Sequence, residues 1–226
     1  VNPGYAFGGE KSHKDICNLI LGSCVNQYKF DEPYRSINYV ECHDNYTFFD
    51  FGKYKLQKKD KEIYLAAKFA LEFIMLSEGV PFIHAGEEFL RTKYGVENSY
   101  NSNDEINKID YARRDKYISL VDTVRDLISL RKEYSVFRLT SEKEILSKTH
   151  NSEGLKHKNL SLIFLNDDKY TILLVIKNDL KKNLVEFENY KMIFDTNRKC
   201  NITKKQYMLD NKGIYVFKKH TGNMSI

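Results

Sequence analysis

The sequence predicts an α/β region followed by an all-β region, and three observations carry that expectation. Apolar residues recur at helical spacing in two windows, at Ile63, Ala66, Ala67, Ala70, Leu71 and Ile74 and again at Tyr117, Leu120, Val121, Val124, Leu127 and Ile128. Each window follows a short apolar run, at 36–41 and at 80–85, that ends in polar, ionisable residues. After about residue 140 the apolar runs shorten to strand length, with turn-forming residues between them. The expected division is 1–139 and 140–226.

Taken in order, residues 13–22 read as a short helix. Ile16, Leu19 and Ile20 share one face, and Gly22 can supply a left-handed end. A loop through Pro33 leads to the strand at 36–41. Asp60 reads as the N-cap of the next helix, Gly79 falls where a C′ glycine belongs, and Pro81 cannot continue the helix. The run 80–85 reads as a buried strand ending in Gly86-Glu87-Glu88. The polar segment 91–114 shows no period, and a loop of that length is more often functional than idle. Asp115 opens the third helix. Residues 36–134 therefore read strand–helix–strand–helix, the repeat of a parallel α/β architecture. Beyond 140, strands are expected at 160–165, 170–177, 184–188, 192–194, 206–209 and 214–218. The turns between them fall at Asn166-Asp167-Asp168, Asn178-Asp179 and Asp210-Asn211-Lys212-Gly213. Such strands make a small antiparallel sandwich.

Composition excludes several classes. A chain of 226 residues, 42% hydrophobic and 30% charged, fits a globular protein with a sizeable core. No apolar run approaches a membrane span. The opening Val1-Asn2-Pro3-Gly4-Tyr5 lacks the pattern of a signal peptide, and none is expected. The net charge of +5 is spread over the chain. Its densest stretch, Lys53, Lys55, Lys58, Lys59 and Lys61, reads as a solvated loop and helix start with no nucleic-acid module behind it. Cys17, Cys24, Cys42 and Cys200 have no metal or redox spacing. They are expected to be mostly buried thiols of a reducing, cytoplasmic setting. His13, His43, His84, Glu87 and Glu88 likewise lack metal-ligand spacing, so neither a metal nor a cofactor is expected.

The run Ile37-Asn38-Tyr39-Val40-Glu41-Cys42-His43-Asp44-Asn45-Tyr46-Thr47 is the most informative in the chain. A short strand stops at a His-Asp-Asn cluster, the arrangement a β/α enzyme presents at the C-terminal ends of its strands. Glu87 and Glu88 resemble a carboxylate pair, but neighbours on an extended strand point oppositely. They are expected to brace the rim.

Five stretches, in order, resemble the α-amylase superfamily of retaining glycoside hydrolases, and most closely its pullulanase-type debranching enzymes. They are INYVECHDNYTFFD at 37–50, GVPFIHAGEEFLRTK at 79–93, ENSYN at 97–101, DEINKIDYARR at 104–114 and LRKEYSVFRL at 130–139. The resemblance implies that 1–139 is the last part of a (β/α)8 TIM barrel and 140–226 the β-sandwich that follows it. It implies Asp44 as the third catalytic carboxylate, which bonds the sugar hydroxyls at the cleavage point, with His43 on the same ring and Asn45 beside them. In the loop after the eighth strand it implies Arg91, Asn98, Tyr100 and Asn101 as substrate contacts. The substrate implied is an α-glucan cut at α-1,6 branch points, as in pullulan, starch or glycogen.

There are departures. The chain has no Trp, where the family often places one near Phe49, and Ser135 stands where a Pro is common. No segment resembles those that carry the nucleophile and the general acid, and retaining hydrolysis needs two carboxylates. The chain is therefore expected to be inactive alone and to partner the missing N-terminal barrel segment, in the same or another chain. The competing reading is a non-catalytic remnant or split-gene subunit that contacts carbohydrate or pairs with a complementary barrel chain.

Overall fold

The computed structural model describes residues 2–149, 155–157, 159–196, 202–203 and 206–221. In chain order it holds helix α1 (His13–Ile20), strand β1 (Ile37–Asn38), and helices α2 (Phe48–Asp50) and α3 (Asp60–Leu76). Strand β2 (Val80–Pro81) follows, then helices α4 (Asp104–Asn107), α5 (Ala112–Lys116), α6 (Ile118–Glu133) and α7 (Glu142–Lys148). The strands β3 (Leu155–His157), β4 (Leu160–Asn166), β5 (Tyr170–Lys177), β6 (Asn183–Glu186), β7 (Lys191–Phe194), β8 (Ile202–Thr203), β9 (Gln206–Leu209) and β10 (Gly213–His220) complete the chain.

β1 and β2 pair in parallel, Ile37 opposite Val80 and Asn38 opposite Pro81. Both are shorter than the runs 36–41 and 80–85 predict. A strand is defined by its ladder, and here the ladder rests on Val80 N–H donating to Ser36 O (2.8 Å) and Phe82 N–H to Asn38 O (2.9 Å). Each strand has one neighbour among the described residues.

The long helix between them is as expected in extent but not at its start. Its N-cap is Lys59, not Asp60. The Asp60 carboxylate is drawn to Lys53 Nζ at 2.8 Å, while Glu62 accepts from Lys59 N–H at 3.2 Å. At the other end the helix stops at Leu76, and Gly79 comes two residues after the C-cap Ser77. Gly79 has φ +98°, and a Cβ there would meet Ser36 O at 2.8 Å, so both conformation and space demand glycine. The helix opened by Asp115 in the sequence reading begins at Ile118. The shorter α5 precedes it, and Tyr117 stands between the two as cap. The polar segment is not structureless either, since Asn103 caps α4 by accepting from Ile106 N–H.

The β region forms a five-stranded antiparallel sheet in the order β3-β4-β5-β10-β7 and a three-stranded one in the order β6-β9-β8. Here the alternation of a strand decides the packing. Ile163, Leu165, Ile172, Leu174, Ile176, Ile214 and Val216 face the helices, in one cluster with Ile20, Phe69, Leu76 and Leu127. Leu160, Leu162, Leu173, Val175, Tyr215 and Phe217 face the other way, in a cluster with Val185, Tyr207 and Leu209 of the small sheet. A sheet covered on both faces explains why β4, β5 and β10 read as continuous apolar runs. The sequence reading misses α7, β3 and β8, whose segments lack an apolar run.

Buried polar contacts fix the helices to one another and, through Glu72, to the β region. Arg131 of α6 donates to Met75 O (3.0 Å), Ser77 O (2.7 Å) and Gly79 O (2.8 Å), capping the end of α3. Glu78 accepts from Leu139 N–H at 2.8 Å. Glu72, fully buried in α3, accepts from Thr196 Oγ1 (2.5 Å) and Ile214 N–H (2.9 Å). Burial pushes its pKa up to about 7. Among the described residues no helix is long and apolar enough to cross a membrane. Cys17, Cys24 and Cys42 form no disulfide, the first two buried and the third half-buried; Cys200 lies outside the described residues.

Candidate functional site

The turn after β1 is built from its neighbours inward. Thr47 caps α2 by accepting from Asp50 N–H at 3.1 Å, a Thr-x-x-Asp arrangement that turns the chain away from the strand. Asp50 is fully buried. Its carboxylate accepts from Thr92 Oγ1 at 2.5 Å and Lys93 N–H at 2.6 Å, which fastens the segment after β2 to the segment after β1. Lys93 is also buried, and its ammonium donates to His43 O (3.1 Å), Asn45 O (2.5 Å) and Glu97 O (3.2 Å). Burial pulls the Lys93 pKa below the usual lysine range, against the charge of Asp50. Asn45 completes the turn with φ +62°, a left-handed conformation that Asn tolerates.

The result is a turn held from within whose candidate site side chains point to solvent. The His43 side chain is 83% exposed and Asp44 67%, with His43 Nε2 3.4 Å from Asp44 Oδ2. Asn45 is exposed as well. The structure thus brings His43, Asp44 and Asn45 together and sets them against the segment 93–97.

A second network lies beneath. The buried Glu41 accepts from Phe48 N–H at 2.5 Å and meets His84 Nδ1 at 2.9 Å. The other ring nitrogen of His84 is 3.3 Å from Arg91 Nη1. Arg91 also donates to Ala85 O (3.3 Å) and to Asn107 O (2.8 Å). Asn107 in turn donates to Ser99 O (2.7 Å) and Ser102 O (3.0 Å). Arg91 is therefore engaged with protein, and through Asn107 it shapes the loop that carries Asn98, Tyr100 and Asn101. Those three are exposed, Tyr100 by 81%.

Glu87 and Glu88 lie in a 3-10 turn (Glu87–Phe89), so the alternation of an extended strand does not apply to them. Glu87 is buried and accepts from His84 N–H at 3.1 Å; Glu88 accepts from Gly86 N–H at 3.1 Å. Burial first, then the charge of Glu41, pushes the Glu87 carboxyl up to about 9. Sequence reasoning assigned nothing to Lys93, Asp50, Glu41 or Asn107. The one available signal was Thr47 three residues before Asp50, a capping pattern. The burial of Lys93 has no sequence signature, because lysine is almost never fully buried.

No family model matches the chain. Relatives do. A pullulanase of Bacillus subtilis (strain 168) is 45% identical over 148 residues, which cover 63% of this chain and 20% of the relative. An isoamylase of Flavobacterium sp. is 28% identical over 131 residues, 47% of this chain and 17% of the relative. Among solved structures, pullulanase type I from Bacillus subtilis str. 168 complexed with maltose superposes with a TM-score of 0.85 at 33% identity. The match covers 96% of this chain and 32% of that one. The pullulanase from Anoxybacillus sp. LM18-11 complexed with maltotetraose gives 0.82 at 29% identity, over 96% and 32%. The chain thus spans about a fifth of the first curated relative and about a third of the solved chains. Its mixture of helices and antiparallel sheets matches theirs. By sequence and by structure, the chain is similar to part of the pullulanases and, at lower identity, to part of an isoamylase.

Proposed function

We propose that the chain is the C-terminal portion of a retaining debranching hydrolase that cuts α-1,6 linkages in α-glucans. In this reading residues 1–139 are the last βα units of a (β/α)8 barrel, with β1 and β2 as its final two strands, and residues 140–226 are the trailing β-sandwich. The observation that carries it is the His43-Asp44-Asn45 turn. It projects from the C-terminal end of a parallel strand and is pinned by Lys93 against the polar loop that follows the next strand.

Asp44 accepts hydrogen bonds from the sugar hydroxyls at the cleavage point. His43 bonds the same ring, and Asn45 stands beside it. Bonds that tighten as the ring flattens toward an oxocarbenium ion lower the barrier itself, not merely KM. Asn98, Tyr100 and Asn101 line the donor side, with Tyr100 as a stacking ring. Arg91 acts at the base of that loop and contacts substrate from there. The nucleophile and general acid come from sequence outside these 226 residues, so the chain alone does not turn over. Its partner is the remaining barrel segment, in the same or another chain.

The test is a chimera that joins this chain to the barrel segments of the Bacillus subtilis relative. It should release reducing ends from pullulan, whereas residues 1–226 alone should not. Asp44→Asn in the chimera should keep the fold and lower kcat and kcat/KM together, by on the order of 10²-fold or more. Turnover by the isolated chain, or near-normal turnover by the Asn variant, overturns the assignment.

A further inference from the structure

The turn after β1 also holds a donor that hydrolysis does not need, the Cys42 thiol, beside His43 and Asp44. Consecutive side chains on an extended strand point to opposite faces. Cys42, His43 and Asp44 are consecutive, yet one donor atom from each lies within 4.8 Å of the others, because the chain bends there. His43 Nε2 and Asp44 Oδ2 stand 3.4 Å apart. Two ligands bonded to one tetrahedral cation at about 2.0–2.1 Å are themselves about 3.4 Å apart. That pair already has the edge length of such a site. The half-exposed Cys42 Sγ rests 3.9 Å from Asp44 O and closes on the pair with a movement on the order of 1 Å.

We propose that Cys42, His43 and Asp44 form a three-ligand site for a borderline-soft divalent cation such as Zn²⁺, with solvent at the fourth position. Sulfur, imidazole nitrogen and carboxylate oxygen are the donors that select such an ion over Mg²⁺ or Ca²⁺. Binding forms a metal–sulfur bond as the Cys42 thiol releases its proton to solvent, with no change of oxidation state. No metal was expected here, because neither the cysteines nor the histidines and Glu87–Glu88 show metal-ligand spacing in the sequence. What brings adjacent residues together is the bend, fixed from inside by Lys93 on His43 O and Asn45 O. The Lys93 charge opposes a cation, and the carboxylates of Asp50, Glu41 and Asp44 oppose Lys93 in turn. A bound cation occupies His43 and Asp44 and so blocks the sugar; that consequence rests on the role proposed above for Asp44, whereas binding itself does not.

The test uses reduced residues 1–226 titrated with Co²⁺, followed by the near-ultraviolet thiolate-to-cobalt band and the visible bands of a tetrahedral ion, then displacement with Zn²⁺. One Co²⁺ per chain with both signatures, displaced by one Zn²⁺, is the expected result. Cys42→Ser should abolish the thiolate band, and His43→Asn and Asp44→Asn should each weaken binding at least about tenfold with unchanged circular dichroism. Cys200→Ser should change nothing. Absence of the thiolate band, its survival in Cys42→Ser, or its loss in Cys200→Ser overturns the site. Each of those results leaves the hydrolytic role of Asp44 intact, because the chimera is assayed in the presence of a chelator.

Discussion

At Lys93 a charge that burial disfavours is kept by the three carbonyls it binds, two of which belong to the turn that presents Asp44 and one to the segment after β2. Replacing it with Met keeps most of the length of the side chain and removes every donor. Lys93→Met is expected to cost about 2–4 kcal/mol, the order of several charge-assisted bonds whose acceptors are left unpaired. The loss is also local. Backbone amides of 43–46 should exchange faster with deuterium, while those of β5, buried on both faces, should keep their protection relative to global opening. Uniform acceleration across the chain would mean that Lys93 supports the whole fold rather than the turn. At this scale the sequence showed the exposed residues and hid the buried ones. His43 and Asp44 stand in a recognisable word, but nothing in the string marks Glu41, Asp50 and Lys93 as the groups beneath it. Their burial is a tertiary fact.

The α3–β2 connection shows how an element is ended by another. Three carbonyls at the close of α3 are satisfied by one guanidinium from α6. Arg131→Met should cost about 2–4 kcal/mol, because it leaves three carbonyl acceptors without their donor. Chemical denaturation measures this directly, and a loss below 1 kcal/mol would show that other groups satisfy those carbonyls. Glu78 gives the connection a pH dependence. Burial lifts its carboxyl from 4.5 to about 8, against the pull of Leu139 N–H and Arg131. Between those values the folded state holds a proton that the unfolded chain has lost. Its contribution is therefore complete below about 4.5 and disappears as pH rises through about 8. Glu78→Gln should flatten that decline when stability is followed across the same range; an unchanged slope would place the titration elsewhere. Glu72 and Glu87, at about 7 and about 9, act in the same direction. The periodicity that predicted α3 and α6 was legible because each has one dominant apolar face. Short β3 and β8 were not, since a two- or three-residue strand is created by its partner rather than by its own pattern.

Across the whole molecule the packing is uneven. The β region encloses its own core, with β4, β5 and β10 buried on both sides. The parallel pair is the opposite case. Ile37, Tyr39 and Val40 in and just after β1 and Val80 and Phe82 in and just after β2 are exposed, and the rings of Tyr39 and Phe82 meet edge to face at 6.0 Å. Behind them a cleft of about 890 Å³ is lined by Ile37, Tyr39, Phe48, Phe51, Phe69 and Phe73. Parallel sheets are normally covered on both faces, and a two-stranded one with open edges is a template for further pairing. An apolar patch of this kind on a monomer marks a surface that another polypeptide covers. In the absence of complementary barrel segments, residues 1–226 should associate through it. Sizing with light scattering should show mass rising with protein concentration. Tyr39→Lys combined with Phe82→Lys should hold the chain monomeric with an unchanged circular dichroism spectrum, since both rings already face water and neither belongs to a buried cluster. Adding complementary segments should suppress association in the parent and fail to bind the double variant. A parent that stays monomeric at every concentration would mean that the open sheet closes on itself in solution, and the barrel reading of β1 and β2 would lose its main physical support.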